Sequence, residues 1–143
     1  MIIAVLVSVT LPRFSSTAER LGVERSASEV AQALRYAHAR SVTENKGMLW
    51  RWNAEQRKGS LYAVTPDGTE TELTDRFSAS RPIAAVANVE MTGPDGPIDE
   101  VHFYPDGTAE AASVTLTHGK RIYSVQVDPA TSQVLYTTGS APR

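Results

Sequence analysis

Hydrophobic and polar positions divide this chain into three stretches with different periods. Residues 1–11 read MIIAVLVSVTL, relieved only by Ser8 and Thr10. A bilayer-crossing helix needs about 20 such residues, so this run is about half a span. It has no Lys or Arg before it and no small-x-small cleavage site after it, which separates it from a secretory signal. A buried core strand or helix end is the alternative. We read it as the second half of a membrane anchor, formed by Ile2, Ile3, Val5, Leu6, Val7 and Leu11. Pro12 is expected to break or bend the helix there, with Arg13 at the membrane surface.

The second stretch, 15–46, contains no proline and one glycine, Gly22. Val23, Ala27, Val30, Leu34, Ala37 and Ser41 recur at alternating steps of four and three, a narrow stripe on one helix face. The stripe is rich in small residues, so whatever covers it approaches closely. Arg20–Glu24 and Arg25–Glu29 are i,i+4 pairs worth a few tenths of a kcal/mol each. Asn45-Lys46-Gly47 predicts the helix stop.

From there the period falls to 2. Strands are expected at 48–53, 60–65, 70–73, 83–91, 100–104, 113–117, 122–127 and 133–137, with Trp50 and Trp52 on one strand face. Pro-Asp-Gly recurs at 66–68, 94–96 and 105–107, at unequal separations that make it turn chemistry and not a repeat. The fold class is therefore α+β: an N-terminal helix to residue 46, with 1–11 as partial anchor, packed on antiparallel β-sheet formed by 47–143, as one domain.

Composition adds limits. Of 143 residues, 41% are apolar and 21% charged, with 14 basic against 16 acidic, net −2. A core is within reach, and a protein that coats nucleic acid through bulk positive charge is excluded. With no cysteine there is no disulfide, thiolate metal site or cysteine nucleophile. Residues 1–46 hold six basic and four acidic residues, whereas 47–143 hold eight and twelve.

No catalytic, cofactor or metal constellation emerges. His38, His102 and His118 lack metal-ligand spacing such as HExxH and read as solvated or packed side chains. No serine sits in a G-x-S-x-G elbow. Asp95, Asp99 and Glu100 offer oxygens of the kind calcium takes but lack EF-hand spacing, so a plain acidic loop is favoured. Gly93, Gly96 and Gly107 belong to turns and do not build a phosphate cradle. For nucleic acid, Lys120-Arg121 is an isolated pair and Arg143 the tail's one cation. Arg51, Arg57 and Lys58 near Trp50 and Trp52 are the remaining cluster, although tryptophans placed this way are more often core.

Two motifs carry a resemblance. Leu34-Arg35-Tyr36-Ala37-His38-Ala39-Arg40-Ser41 resembles the helix end, and Val101-His102-Phe103-Tyr104-Pro105-Asp106-Gly107-Thr108 the strand and turn, of the GspH/FimT group of minor pseudopilins and minor pilins. Two strands and a closing hairpin follow in the group's order. The chain departs from the group in lacking the prepilin leader and the acidic residue early in the mature helix. It also has Ser132 and Gln133 where Gly-Arg is usual in the last turn. An in-frame leader upstream of Met1 is the matching expectation.

The resemblance implies a pilin-like roll and a structural, non-enzymatic subunit of a type II secretion pseudopilus that supports protein export. Its implied partners are other major and minor pseudopilins and the inner membrane, crossed once, with the β domain in the periplasm and the mature N-terminus methylated. No cofactor and no nucleic acid are implied. The alternative is a FimT-like minor type IV pilin engaged in pilus assembly or DNA uptake.

Overall fold

A computed structural model describes residues 2–73, 82–84, 87–131 and 133–140, with side chains from residue 18 to residue 139. One helix, α1 (Ile2–Glu44), holds 43 residues. It takes in the anchor segment and passes through Pro12 without the expected break. Proline removes one N–H from the i→i−4 ladder, and the turns on either side carry the helix across that single loss. At the other end Asn45 adopts φ 53°, and the Lys46 N–H donates to the Ser41 carbonyl at 3.2 Å. That is the left-handed cap with a six-to-one bond that closes many helices, here with asparagine in glycine's place.

Among the described residues, nine strands follow in two antiparallel sheets. β1 (Gly47–Asn53), β2 (Lys58–Val64), β3 (Glu70–Glu72) and β6 (Glu100–Phe103) form one sheet in the order β3-β2-β1-β6. β4 (Asn88–Gly93), β5 (Gly96–Pro97), β7 (Ala112–His118), β8 (Arg121–Val127) and β9 (Val134–Ser140) form the other, in the order β5-β4-β7-β8-β9. Every pairing is antiparallel.

The core lies between helix and sheets. Alternate residues of β7 (Ala112, Val114, Leu116) and β8 (Tyr123, Val125, Val127) are buried, as are Met48, Trp50, Leu61, Val101 and Phe103 of the other sheet. Trp50 stacks with Trp52 at 6.5 Å between ring centroids. It also lies over Gly59, where an added Cβ would come within 2.0 Å of the indole. Only glycine fits beneath that ring.

Two Pro-Asp-Gly turns share one geometry. Gly68 (φ 92°) donates to the Thr65 carbonyl at 2.9 Å, and Gly107 (φ 94°) to the Tyr104 carbonyl at 3.1 Å. In each a further backbone bond closes the loop, from Thr65 to Thr69 and from Tyr104 to Thr108. Proline at the first loop position and glycine in the left-handed region suit this three-residue connection. The last hairpin does without glycine: the Asp128 carboxylate accepts from the Ala130 N–H at 2.8 Å, while its N–H donates to Gln133 at 3.0 Å. Ser132 lies outside the described residues.

The strand expected at 83–91 begins at Asn88 instead. Ile83 is buried, but its N–H donates to the Arg57 carbonyl at 2.6 Å, and the Ala84 N–H to Ser26 Oγ at 3.2 Å. Bonds to the helix and to the β1–β2 turn replace a ladder. The two-residue β5 was not anticipated, since neither glycine nor proline favours strand.

Candidate assembly surface

Most of the helix is built as two opposed faces. Val23, Ala27, Leu34 and Ala37 are completely buried and Val30 is 5% exposed. Ala31, Ser26 and Ser41 are buried beside them. Sequence periodicity missed Ser26 and Ala31. Serine is rarely buried unless bonded, and Ser26 earns its place by accepting the Ala84 N–H. Ser41 Oγ donates to the His38 carbonyl at 2.7 Å. The opposite face, with Leu21, Arg25, Gln32, Ala39 and Val42, is exposed, and Leu21 and Val42 are 50% and 48% accessible.

The side chains of Ile2, Ile3, Val5, Leu6, Val7, Leu11 and Pro12 lie outside the described residues; their backbone is helical. Among the described residues, no helix is long and apolar enough to cross a membrane. The first described contact between helix and head is Glu19 Oε2, 3.6 Å from His118 Nε2. The helical backbone before Glu19 covers 17 residues, from Ile2 through Ala18, about 25 Å at 1.5 Å per residue.

The expected helix ion pairs Arg20–Glu24 and Arg25–Glu29 do not form. Arg20 Nε is buried without a partner, and the pair that closes is Arg40–Glu44, with Arg40 also donating to Tyr36 Oη at 3.0 Å. Arg35 reaches across to the head and donates to the Val134 carbonyl at 3.1 Å.

The cations near the tryptophans are taken up by the head itself. Arg51 binds Glu70 through two nitrogens, at 3.0 and 3.1 Å, and Glu100 at 2.9 Å, with its guanidinium 5.0 Å from the Tyr62 ring centroid. Arg57 (φ 54°) donates to the carbonyls of Ala84 at 2.9 Å and Ala87 at 2.5 Å, clamping the segment that leads into β4. Lys58 begins β2, and Lys120 with Arg121 occupies the exposed β7–β8 turn.

Several titratable groups are likewise in structural contacts. Burial pushes the Glu100 carboxyl up, but bonds from Arg51 and His102 outweigh it and hold it below its usual range. His102 Nε2 lies 3.3 Å from Glu100 Oε1, and its ring stacks on Tyr104. The Thr65 hydroxyl and the Thr69 N–H draw Asp67 down to about 2. The Thr108 hydroxyl and N–H lower Asp106 in the matching turn. Burial raises Tyr136, helped by the negative charge of Glu24. Asp95 and Asp99 do not converge with Glu100: among the described residues, no three or more His, Asp or Glu side chains are grouped to hold a metal ion.

Comparison with known proteins gives one family and one fold. Residues 26–131 match the family model of GspH, described as type II transport protein GspH. No curated protein matches the chain. The fold is similar to the minor pseudopilin EpsH from the type II secretion system of Vibrio cholerae, with TM-score 0.68, 10% identity, and coverage of 80% of this chain and 95% of that one. A second EpsH structure gives TM-score 0.66 at 11% identity, covering 85% and 95%. The type IV minor pilin FimU of Pseudomonas aeruginosa PAO1 gives TM-score 0.62 at 12% identity, covering 85% and 92%.

Proposed function

The chain belongs to the GspH family, a pilin-like pseudopilin with a structural role, and from that premise we propose that it is a minor subunit of a type II secretion pseudopilus. The segment 1–11 belongs to an anchor that holds the subunit in the inner membrane, with helix and head folded as one unit on the periplasmic side. On assembly the apolar ends of many such helices leave the bilayer and bundle in the filament core, while the heads face outward against other pseudopilins. Export of folded proteins across the outer membrane depends on that filament.

The observation that carries this reading is α1 itself, one continuous helix with a buried face. Val23, Ala27, Val30, Leu34 and Ala37 tie it to the head, and its backbone is helical from Ile2 onward. Burying a Val or Leu side chain contributes about 1.5–3 kcal/mol, so the attachment needs no catalytic chemistry. The likeness to FimU supports a second reading, a minor type IV pilin.

Deleting the gene in its host separates the two. Loss of protein export with intact pili, restored by the full chain fractionating with the inner membrane, supports the secretion role. Intact export with lost pili or lost DNA uptake overturns it in favour of the pilin.

A further inference from the structure

The two sheets end in four lateral edges, and three of them are blunted. β3 is three residues long and carries Glu70 and Glu72, and β5 has two residues, one of them Pro97. Along β6 the chain folds back, the Glu110 N–H donating to the His102 carbonyl at 3.0 Å. Short length, charge, proline and coverage are the devices that keep an unpaired edge from recruiting another strand. Among the described residues, β9 has none of them. It runs for seven residues, VLYTTGS, with no charge and no proline, and among those residues it pairs with β8 along one side only.

Alternation determines which groups this edge offers. The Asp128 N–H bonds to the Gln133 carbonyl. Leu135, Thr137 and Gly139 therefore turn their backbone groups toward β8, and Val134, Tyr136 and Thr138 turn theirs outward. Arg35 takes the Val134 carbonyl. Among the described residues, the outward N–H groups of Tyr136 and Thr138 have no hydrogen-bond partner. Leu135, 50% exposed, stands on the same strand, and Arg121, directly opposite Ser140, makes its far end cationic together with Lys120.

We propose that β9 accepts, by strand addition, an extended segment of a different pilin-like subunit of the same filament. The segment is uncharged at its centre, apolar where it passes Leu135, and acidic at the end beside Lys120 and Arg121. Main-chain bonds supply affinity in this mode, and the flanking side chains supply selectivity. The inference rests on the filament reading above. A second copy of this chain is the poorer occupant. Arg35 lies at Val134, whereas Glu19 lies at His118, beside the Arg121–Ser140 end, so α1 runs antiparallel to β9. Antiparallel self-pairing would point the two N-terminal helices in opposite directions, and subunits sharing one filament core need them parallel.

The test uses the full chain in cells that carry its own filament system, with a photo-crosslinking residue at Thr137 or, in a second strain, at Leu21 on the exposed helix face. The expected result is a Thr137 crosslink whose peptide maps to an extended segment of another pilin-like subunit. Thr138→Pro deletes an outward N–H without touching the β8 ladder and should abolish the crosslink. Leu135→Lys, a change of an exposed side chain, should do the same if the proline variant fails to fold. A Thr137 crosslink that survives both variants overturns strand addition, and so does its absence while Leu21 still crosslinks; the filament reading then stands. A crosslink to a second copy overturns the choice of occupant. Absence at both positions overturns the edge and the filament together.

Discussion

The two sheets reach stability by different means. In the four-stranded sheet the strands are tied by a few large anchors. Trp50 lies over Gly59 and stacks with Trp52 on one face, and on the other Arg51 of β1 joins Glu70 of β3 to Glu100 of β6. In the five-stranded sheet β7, β8 and β9 form consecutive hairpins with regular burial of small and medium apolar side chains. Its outer face is nearly uncharged: the rows Glu90-Thr115-Ser124-Thr137 and Thr92-Ser113-Gln126-Leu135 hold one charge between them. The contrast teaches that the sheet joined by β6 from a distant part of the chain is tied by specific contacts, whereas the consecutive hairpins β7, β8 and β9 are held by pattern.

If that is right, single substitutions should be most costly in the anchored sheet. Trp50→Ala should cost about 3–5 kcal/mol, the range for truncating a buried aromatic, measured by denaturant unfolding. A loss below about 1 kcal/mol would show that burial is shared more evenly than the packing implies. Gly59→Ala should cost about 1–3 kcal/mol or more through overpacking, because the methyl would meet the indole at 2.0 Å. The two are in contact, so they should not add. In the Trp50→Ala background the alanine at 59 should be nearly harmless; an undiminished cost would place the strain in the backbone instead.

The same contrast explains what was legible in the sequence. The period-2 pattern predicted β7, β8 and most of β9, because each strand pairs with its neighbour in the chain. The helix stripe was legible because it needs only a 3.6 period, and the buried residues follow it. The approach of β1 to β6 was not legible, since Arg51 and Glu100 lie 49 residues apart and nothing local records their pairing. Ile83, Ala84 and Ala87 were misjudged for a similar reason. The apolar run resembles a strand, and only the distant Arg57 guanidinium, bonded to the carbonyls of these three residues 26 to 30 positions on, shows why they stand outside one. The cation cluster posited for nucleic acid failed as a free patch on the same count: Arg51 and Arg57 have partners far away in sequence.

A smaller effect concerns acid. Glu100 is held below its usual range in the folded state, so it adds stability above the unfolded carboxylate value, near 4.3, that is lost as pH falls through the lower folded value. Arg51→Met should therefore lower stability by about 1 kcal/mol at neutral pH, given two partly exposed ion pairs. The variant should then lose less than the parent on going from pH 6 to pH 3. Identical acid slopes for parent and variant would mean that the network is fully screened by water. Replacing Thr115 of the uncharged sheet with Val should leave the slope unchanged.

The smallest expected change is a gain, at the joint where the helix meets the segment running between the sheets. Gly22 is helical, and a Cβ there would sit 3.8 Å from Ala84 Cβ, ordinary van der Waals contact, with no closer neighbour. Glycine in a helix interior costs about 0.5–1 kcal/mol relative to alanine, because the unfolded chain has more freedom to lose. Gly22→Ala should therefore stabilise by about that amount, read as a rise in denaturant midpoint with an unchanged m-value. Ala84 is held by its bond to Ser26 and by the Arg57 clamp, so it has little room to retreat. A loss in place of the gain would mean that residues 82–84 lie closer to the helix than van der Waals contact allows. Arg57→Met, which frees that segment, should then turn the loss back into a gain.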